Sequence, residues 1–243
     1  MASRGKEKEL ILIGTVHHDP DGAVRLRRLL AREGPVAVAV EVSPYGLSYR
    51  RRNSRHLRRQ LLRQVSELAE ARKVSWREWG QIHALLAQLA EPYEYRGALT
   101  YCRETGAVLS CLDCSQWSKK WIDNHWQQLV SRDNLSSLLE QVPEDMRREV
   151  RKGYKLATGL LSDGDHFLVS AFARSWSTDP GWHQREAGLA LGLQNLYGQL
   201  PKGRLAYVGG WQHLLGSNAG GTVYERLEHL QPRRMLLGEA AEE

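Results

Sequence analysis

Short apolar runs recur along the chain, and each is followed at once by glycine or polar residues. Runs of this kind, rich in Val, Ile and Leu, are typical of strands buried on both faces of a parallel sheet. The stretch between the first two has apolar residues on one helical face and stops at Gly34-Pro35, so the chain begins with a strand–helix–strand unit. The predicted strands span 9–14, 36–42, 107–113 and 204–210, with a short last one at 233–237.

Apolar residues at helical spacing dominate the rest of the chain, with breaks at Pro92, at Pro143 and at Asp179-Pro180-Gly181. The predicted helices cover 23–34, 54–73, 75–90, 93–106, 116–141, 143–161, 162–178, 183–199 and about 220–229. The sequence therefore predicts an α/β fold whose central, mostly parallel sheet of four to six strands carries a large helical insertion. We expect one domain over residues 1–243, with a helical lobe at about 50–95.

Composition is that of an ordinary globular protein. Of 243 residues, 42% are hydrophobic and 26% are charged, and the mean hydropathy is −0.50. These values exclude disordered and fibrous classes, and the lack of a long apolar run argues against a membrane span. The charged segment at residues 1–10 is not a secretory signal, and the three cysteines cannot all pair with one another. We therefore expect a cytoplasmic protein.

The net charge of +6 is concentrated in one segment, because residues 50–63 hold seven arginines and no acid. Three interpretations stay open: a solvated helix face, a nucleic-acid-binding face, or a rim that attracts acidic substrates. Since no zinc finger, helix-turn-helix or RNP motif accompanies the arginines, nucleic acid is not an expected partner. The arginines are Arg50, Arg51, Arg52, Arg55, Arg58, Arg59 and Arg63.

Polar residues follow the predicted strands, where ligand sites gather in parallel sheets. His17 and His18 follow the first strand, and Glu41 and Asp113 close the second and third. His213 follows the fourth. If these strands are neighbours, histidines from two strands and two carboxylates converge on one edge. Such a set can bind a divalent metal or act as general acid and base.

The pattern G-x-x-H occurs at 14–17, 80–83 and 210–213. From 22 Gly and 9 His, roughly 0.8 matches are expected by chance, so the pattern alone is weak. The first and last matches differ from the middle one because each follows a predicted buried strand. The middle match lies in a helical pattern.

Each candidate also has a purely structural interpretation. His17 would cap the following helix or donate to a backbone carbonyl, Glu41 would pair with one of the many arginines, and Asp113 would be a turn former or a helix N-cap. The tryptophans mostly fall on predicted helices, where packing is their usual role. Trp211 lies inside the last G-x-x-H match, so we expect it at the wall of a pocket.

These segments together resemble the TraB/PrgY/Tiki superfamily, which also takes in the erythromycin-esterase-like and ChaN-like proteins. The resemblance covers about 9–45, 93–115 and 183–237 and leaves the helical middle unmatched. Its signature is two G-x-x-H motifs, a glutamate closing the second strand, and an arginine opening the helix before the last motif. The segments are GTVHHDP, VAVAVEV, YRGALTYCRETGAVLSCLD and REAGLALGLQNLYGQLPKGRLAYVGGWQHLLG, with His17, Glu41, Arg185 and His213 at the signature positions.

The resemblance implies a metal-dependent hydrolase, peptidase-like or esterase-like. His17, His213 and Glu41 would bind a divalent ion such as Mn or Co, and Glu41 would also serve as a base. Arg185 would hold a carboxylate or an oxyanion of the substrate, and His18 is a further catalytic candidate.

Two branches of the superfamily imply alternatives. The erythromycin-esterase-like branch implies a metal-free reaction in which a histidine is the base. The ChaN-like branch implies a non-catalytic protein that binds a metal, haem or a small ligand. The expected partner is a small-molecule or peptide substrate, with acidic substrates among the candidates, and a homodimer stays open.

Overall fold

Five parallel strands form the centre of the protein. The computed structural model describes residues 8–162, 166–216 and 219–238, so most of the amino-terminal segment considered above lies outside the described residues. Within these ranges the strands pair in parallel, in the order β3-β2-β4-β1-β5. The predicted α/β fold with a central parallel sheet is therefore confirmed. The strands are β1 (Glu9–Thr15), β2 (Ala37–Val40), β3 (Val108–Cys111), β4 (Arg204–Gly210) and β5 (Arg233–Leu236).

Helices make up most of the remaining described chain. The second begins ten residues before the predicted start, because the Ser43 side chain accepts a hydrogen bond from the Gly46 N–H and Pro44 occupies the first turn. The predicted helix 116–141 is two helices, since Ser131 caps a new one by accepting the Asn134 N–H. The α-helices are α1 (Gly22–Glu33), α2 (Pro44–Arg72), α3 (Gly80–Gln88), α4 (Tyr93–Thr105), α5 (Ser115–Leu129), α6 (Arg132–Glu140), α7 (Met146–Ser162), α8 (His166–Ser177), α9 (Pro180–Gln199) and α10 (Val223–Leu227). Among the described residues, no helix combines the length and apolar character that crossing a membrane requires.

The strand order decides which loops meet. Strand β4 lies between β1 and β2, so the last G-x-x-H motif leaves the sheet between the first motif and the end of β2. Gly14 pairs with Gly209 and Val40 pairs with Val208, which aligns the three strand ends. The loops after β1, β2 and β4 therefore leave the sheet side by side.

Three apolar clusters hold the structure together. One face of the sheet packs on α1, α4, α7 and α8. The other face packs on α9 and α10. A third cluster joins α2, α3, α5 and α6 around Leu61, Ile82 and Trp126, so these helices have a core of their own beside the sheet.

The close crossing of α1 and α4 depends on a glycine. A Cβ added at Gly97 would lie 2.9 Å from the carbonyl oxygen of Ala23. We expect Gly97→Ala to lower the free energy of unfolding by about 1–3 kcal/mol, as overpacking does. Gly188→Ala in α9 is the control, since nothing lies within 4 Å of its added Cβ. The free energy of unfolding of Gly188→Ala, measured in urea, should rise by about 0.5–1 kcal/mol. Equal effects at both positions would refute this account.

Candidate active site

The ends of β1, β2 and β4 bring three sequence candidates together. Nε2 of His213 lies 3.0 Å from Oε1 of Glu41. Nε2 of His17 and Oε2 of Glu41 lie 3.4 and 3.6 Å from the point that a Cβ on Gly210 would occupy, so these two atoms are at most about 7 Å apart. Glycine at position 210 leaves the space between them open. His17, Glu41 and His213 therefore share one site.

Glu41 is a buried carboxylate surrounded by donors. Its Oε1 accepts a hydrogen bond from Nη2 of Arg185 at 2.5 Å, and its Oε2 accepts the Gly210 N–H at 2.7 Å. Burial opposes ionisation, but the charges of His213 and Arg185 outweigh it and hold the pKa of Glu41 well below its usual range. Glu41 is therefore a fixed negative charge at the edge of the sheet.

His213 is held between two carboxylates. Its Nδ1 lies 2.5 Å from Oε1 of Glu186, and the other oxygen of Glu186 accepts the Val223 N–H at 2.7 Å. Burial alone would lower the pKa of His213, but the charges of Glu41 and Glu186 raise it to about 10. The Trp182 ring stacks on the imidazole at 5.1 Å. His213 is thus an enclosed imidazolium at neutral pH.

His17 has a similar partner but an open surface. Its Nδ1 lies 2.9 Å from Oε1 of Glu94, which is buried, while the His17 side chain is 55% exposed. Desolvation opposes protonation of His17, but the hydrogen bond and charge of Glu94 raise its pKa. Because a carboxylate only accepts, Nδ1 carries the proton in the neutral ring and Nε2 keeps its lone pair. His17 is therefore oriented as a base.

The sequence predictions did not include Glu94 or Glu186, which orient the two histidines. Glu94 lies in the first turn of α4 between the buried Tyr93 and Tyr95, and Glu186 follows Arg185 in α9. An acid within the buried stretch YEY was the available signal for Glu94, since a buried carboxylate needs a partner.

His18 lines the cavity next to His17 in a left-handed backbone conformation with φ +65°. Burial and the neighbouring charges of His17 and Arg50 lower its pKa to about 4, so it is neutral at pH 7. His18 can therefore offer a neutral imidazole to a bound molecule.

Arg185 joins two acids. Besides Glu41, it binds Asp113 through Nε at 3.1 Å and through Nη2 at 2.9 Å. Its Nε and Nη2 are thus occupied by carboxylates of the protein. Asp113 is anchored on this guanidinium, and the N-cap position of α5 is Cys114, so Asp113 is not the expected helix cap.

His17, His18, Glu41, Asp113 and Arg185 line a cavity of about 440 Å³, whereas the enclosed His213 contacts Glu41 without being part of the lining. The floor of the cavity is at the strand ends, and its far wall comes from α2, the α3–α4 connection and α5. The prediction for Trp211 is wrong: this side chain is buried and stacks on Phe172 at 5.2 Å, because the chain turns it toward α8. Aromatic walls are provided instead by Tyr93, Trp117 and Trp121.

The arginine-rich segment divides along α2. Arg50 lines the cavity, and Arg51 pairs with Glu91 at 2.6 Å. The arginines farther along are exposed on the helix surface, namely Arg52, Arg55, Arg58, Arg59 and Arg63.

The donor chemistry of the site fits a divalent metal. Each histidine has Nδ1 against a buried carboxylate, as metal-ligating histidines commonly do, and its Nε2 is on the side of Glu41. Within the part of the chain that the structure describes, no group of three or more His, Cys, Asp or Glu side chains is arranged to hold an ion. Binding would therefore require His17 and Glu41 to approach one another and His213 to lose a proton.

Comparison with known proteins adds no relative. A scan against protein-family models and searches of curated proteins and of solved structures found no match to this chain.

The pairing of His17 with Glu94 can be tested by titration. We expect Glu94→Gln to lower the pKa of His17, because the negative charge of Glu94 that raises it is then lost. The measurement is the imidazole signal in NMR spectra as a function of pH. Glu91→Gln is the control, since it removes a charge lining the same cavity that pairs with Arg51. An unchanged His17 titration in Glu94→Gln would refute the pairing.

The charge on His213 predicts a pH-dependent stability. A histidine whose pKa is about 10 in the folded protein and near 6.5 in the unfolded chain stabilises the fold fully below pH 6.5. That contribution is lost as pH rises toward 10. We expect the free energy of unfolding, measured in urea, to fall more steeply from pH 7 to 10 in the wild type than in His213→Gln. Parallel curves for the two proteins would contradict a protonated His213.

Proposed function

We propose that this chain is a hydrolase that cleaves an ester or peptide bond in a small-molecule or peptide substrate, using a divalent ion such as Mn or Co. His17, Glu41 and His213 would hold the ion. The observation that supports this most directly is common to both histidines: each Nδ1 lies against a buried carboxylate and each Nε2 lies on the Glu41 side. Such pairing fixes the tautomer and makes Nε2 more basic, which suits metal ligation and general-base catalysis alike.

The residues of the chain have distinct tasks in this reaction. In the metal-dependent version Nε2 of His17 would bind the ion while Glu94 holds its Nδ1, and Glu41 would be a ligand or the base that takes a proton from the attacking water. Arg185 holds Glu41 and Asp113 in place. Neutral His18 donates a hydrogen bond to the substrate from the cavity wall. The ion, when bound, polarises the scissile carbonyl and lowers the pKa of water.

A metal-free hydrolase is the second candidate. The negative charge of Glu41 is already balanced by Arg185 and a protonated His213. This balance favours a reaction without a metal ion. In this version His17 and Glu94 form the complete base, since an oriented histidine can activate water alone.

We also propose that the chain is a divergent member of the TraB/PrgY/Tiki superfamily. Support comes from the parallel α/β fold, from His17, Glu41 and Arg185 around one cavity, and from the contact of His213 with Glu41. A cytoplasmic location and a homodimer are proposed on the sequence alone.

The hydrolase proposal is tested with nitrophenyl esters and fluorogenic peptides, using protein purified without a His-tag and dialysed against EDTA. We expect added Mn or Co to restore activity, and His17→Gln and Glu41→Gln to lower kcat/KM by about 100-fold or more. His83→Gln is the matched control. It removes the histidine of the middle G-x-x-H match, whose Nε2 bonds to the Arg77 carbonyl outside the cavity.

The outcomes separate the candidates. Full activity after EDTA, with no Mn binding in calorimetry, would replace the metal-dependent version by the metal-free one. Mn binding without turnover of any substrate would support a non-catalytic binding protein. Equal losses in His83→Gln and His17→Gln would remove His17 from the mechanism.

A further inference from the structure

The acidic residues that line the cavity are all paired with bases. Asp19 pairs with Arg25, and Glu91 pairs with Arg51. The remaining acids pair as described above, Glu41 with Arg185 and His213, Glu94 with His17, and Asp113 with Arg185. Each lining carboxylate of the described chain is therefore already engaged with a base other than Arg50 or Arg96.

Arg50 is a half-buried cation of that wall without a carboxylate partner among the described residues. Its Nε donates to the Gln88 carbonyl at 3.1 Å and its Nη1 donates to the Gly46 carbonyl at 3.3 Å. The guanidinium lies over the Trp126 ring at 5.1 Å. Burial lowers its pKa, and the charge of Glu94 opposes this from a distance without an ion pair. Arg50 is thus held rigidly at the cavity surface, and its Nη2 makes no hydrogen bond to the described residues.

Arg96 adds a second positive charge at the same cavity. Its side chain lines the wall, it is exposed, and it has no ion-pair partner among the described residues. Arg50 and Arg96 are thus two cations of the wall that no ion pair with a described carboxylate neutralises. Such a surface attracts anions.

We propose that the cavity takes a small molecule through an anionic group, a carboxylate or a phosphate, and that Arg50 recognises this group. The inference deepens the proposed function, on which it rests, by naming the class of substrate. A fixed guanidinium suits both anions because its planar fork matches their oxygens. Arg185 is less suited to this task, because Glu41 and Asp113 occupy its Nε and Nη2.

The cavity also suits the rest of such a molecule. Its volume of about 440 Å³ is within the range of small-ligand sites. Tyr93, Trp117 and Trp121 offer aromatic surface beside the two arginines. We therefore expect an anion attached to an apolar or aromatic body.

The test measures the binding of benzoate, phenyl phosphate and neutral benzamide. Binding is monitored by NMR of the ligands and by tryptophan fluorescence. We expect the wild type to bind both anions more tightly than benzamide. Arg50→Gln should raise the Kd of both anions about 10-fold or more and leave that of benzamide unchanged, as loss of a charged hydrogen bond does. The tighter of the two anions identifies the group as phosphate or carboxylate.

Arg55→Gln is the matched control, because it removes an equal charge from an exposed position on the same helix and should change the Kd less than about twofold. Arg50→Lys keeps the charge without the fork and should give a smaller loss than Arg50→Gln. Arg96 is exposed, so Arg96→Gln should fold and tests the charge of the cavity wall even if Arg50→Gln does not fold. Unchanged anion binding in Arg50→Gln, or an equal loss in Arg55→Gln, would overturn the proposal.

Failure of the hydrolase proposal can be distinguished from failure of this inference. His17→Gln should abolish hydrolysis and keep anion binding. Anion binding that depends on Arg50 in a protein without any hydrolytic activity would refute the hydrolase and leave this inference intact.

Discussion

The negative charge of Glu41 determines the arrangement of the residues around it. The carboxylate directly follows β2, an apolar inner strand of the sheet, and has lost most of its contact with water. An ionised carboxylate there is stable only with hydrogen bonds and opposite charge nearby. Arg185 and His213 supply the charge, and each in turn has an acid of its own, Asp113 or Glu186. One buried charge thus links the ends of β2, β3 and β4 to α9.

Two adjacent residues of α9, Arg185 and Glu186, make the contacts that link this helix to the strand ends. Arg185 reaches toward β2 and β3, while Glu186 reaches the histidine that follows β4. A rotation or a shift of the helix by one residue would break both contacts together. The network therefore fixes the position of α9 on the sheet more tightly than apolar packing alone, which tolerates small displacements.

The sequence predicted the local parts of the fold and missed what depends on tertiary packing. The apolar runs located the strands because both of their faces are buried, and the strand ends located His17, Glu41 and His213 because polar residues follow each run. The position of β4 between β1 and β2 has no local signature, since strand order depends on how distant segments pack. Glu94 and Glu186 were missed for the same reason, because they act through partners remote in the chain. Trp211 was misplaced because spacing does not show which way a side chain turns after a strand.

The separate core of α2, α3, α5 and α6 has a consequence for how the protein can change. The floor of the cavity belongs to the sheet, whereas Ile122 and Trp121 of the far wall belong to the cluster of those helices. Substitutions in that wall leave the packing of the sheet intact, so they are tolerated more easily than changes at the floor. Related chains can therefore differ in the ligands that the cavity accepts while keeping the same residues at its floor. The shape of the cavity and the chemistry at its floor are free to evolve at different rates.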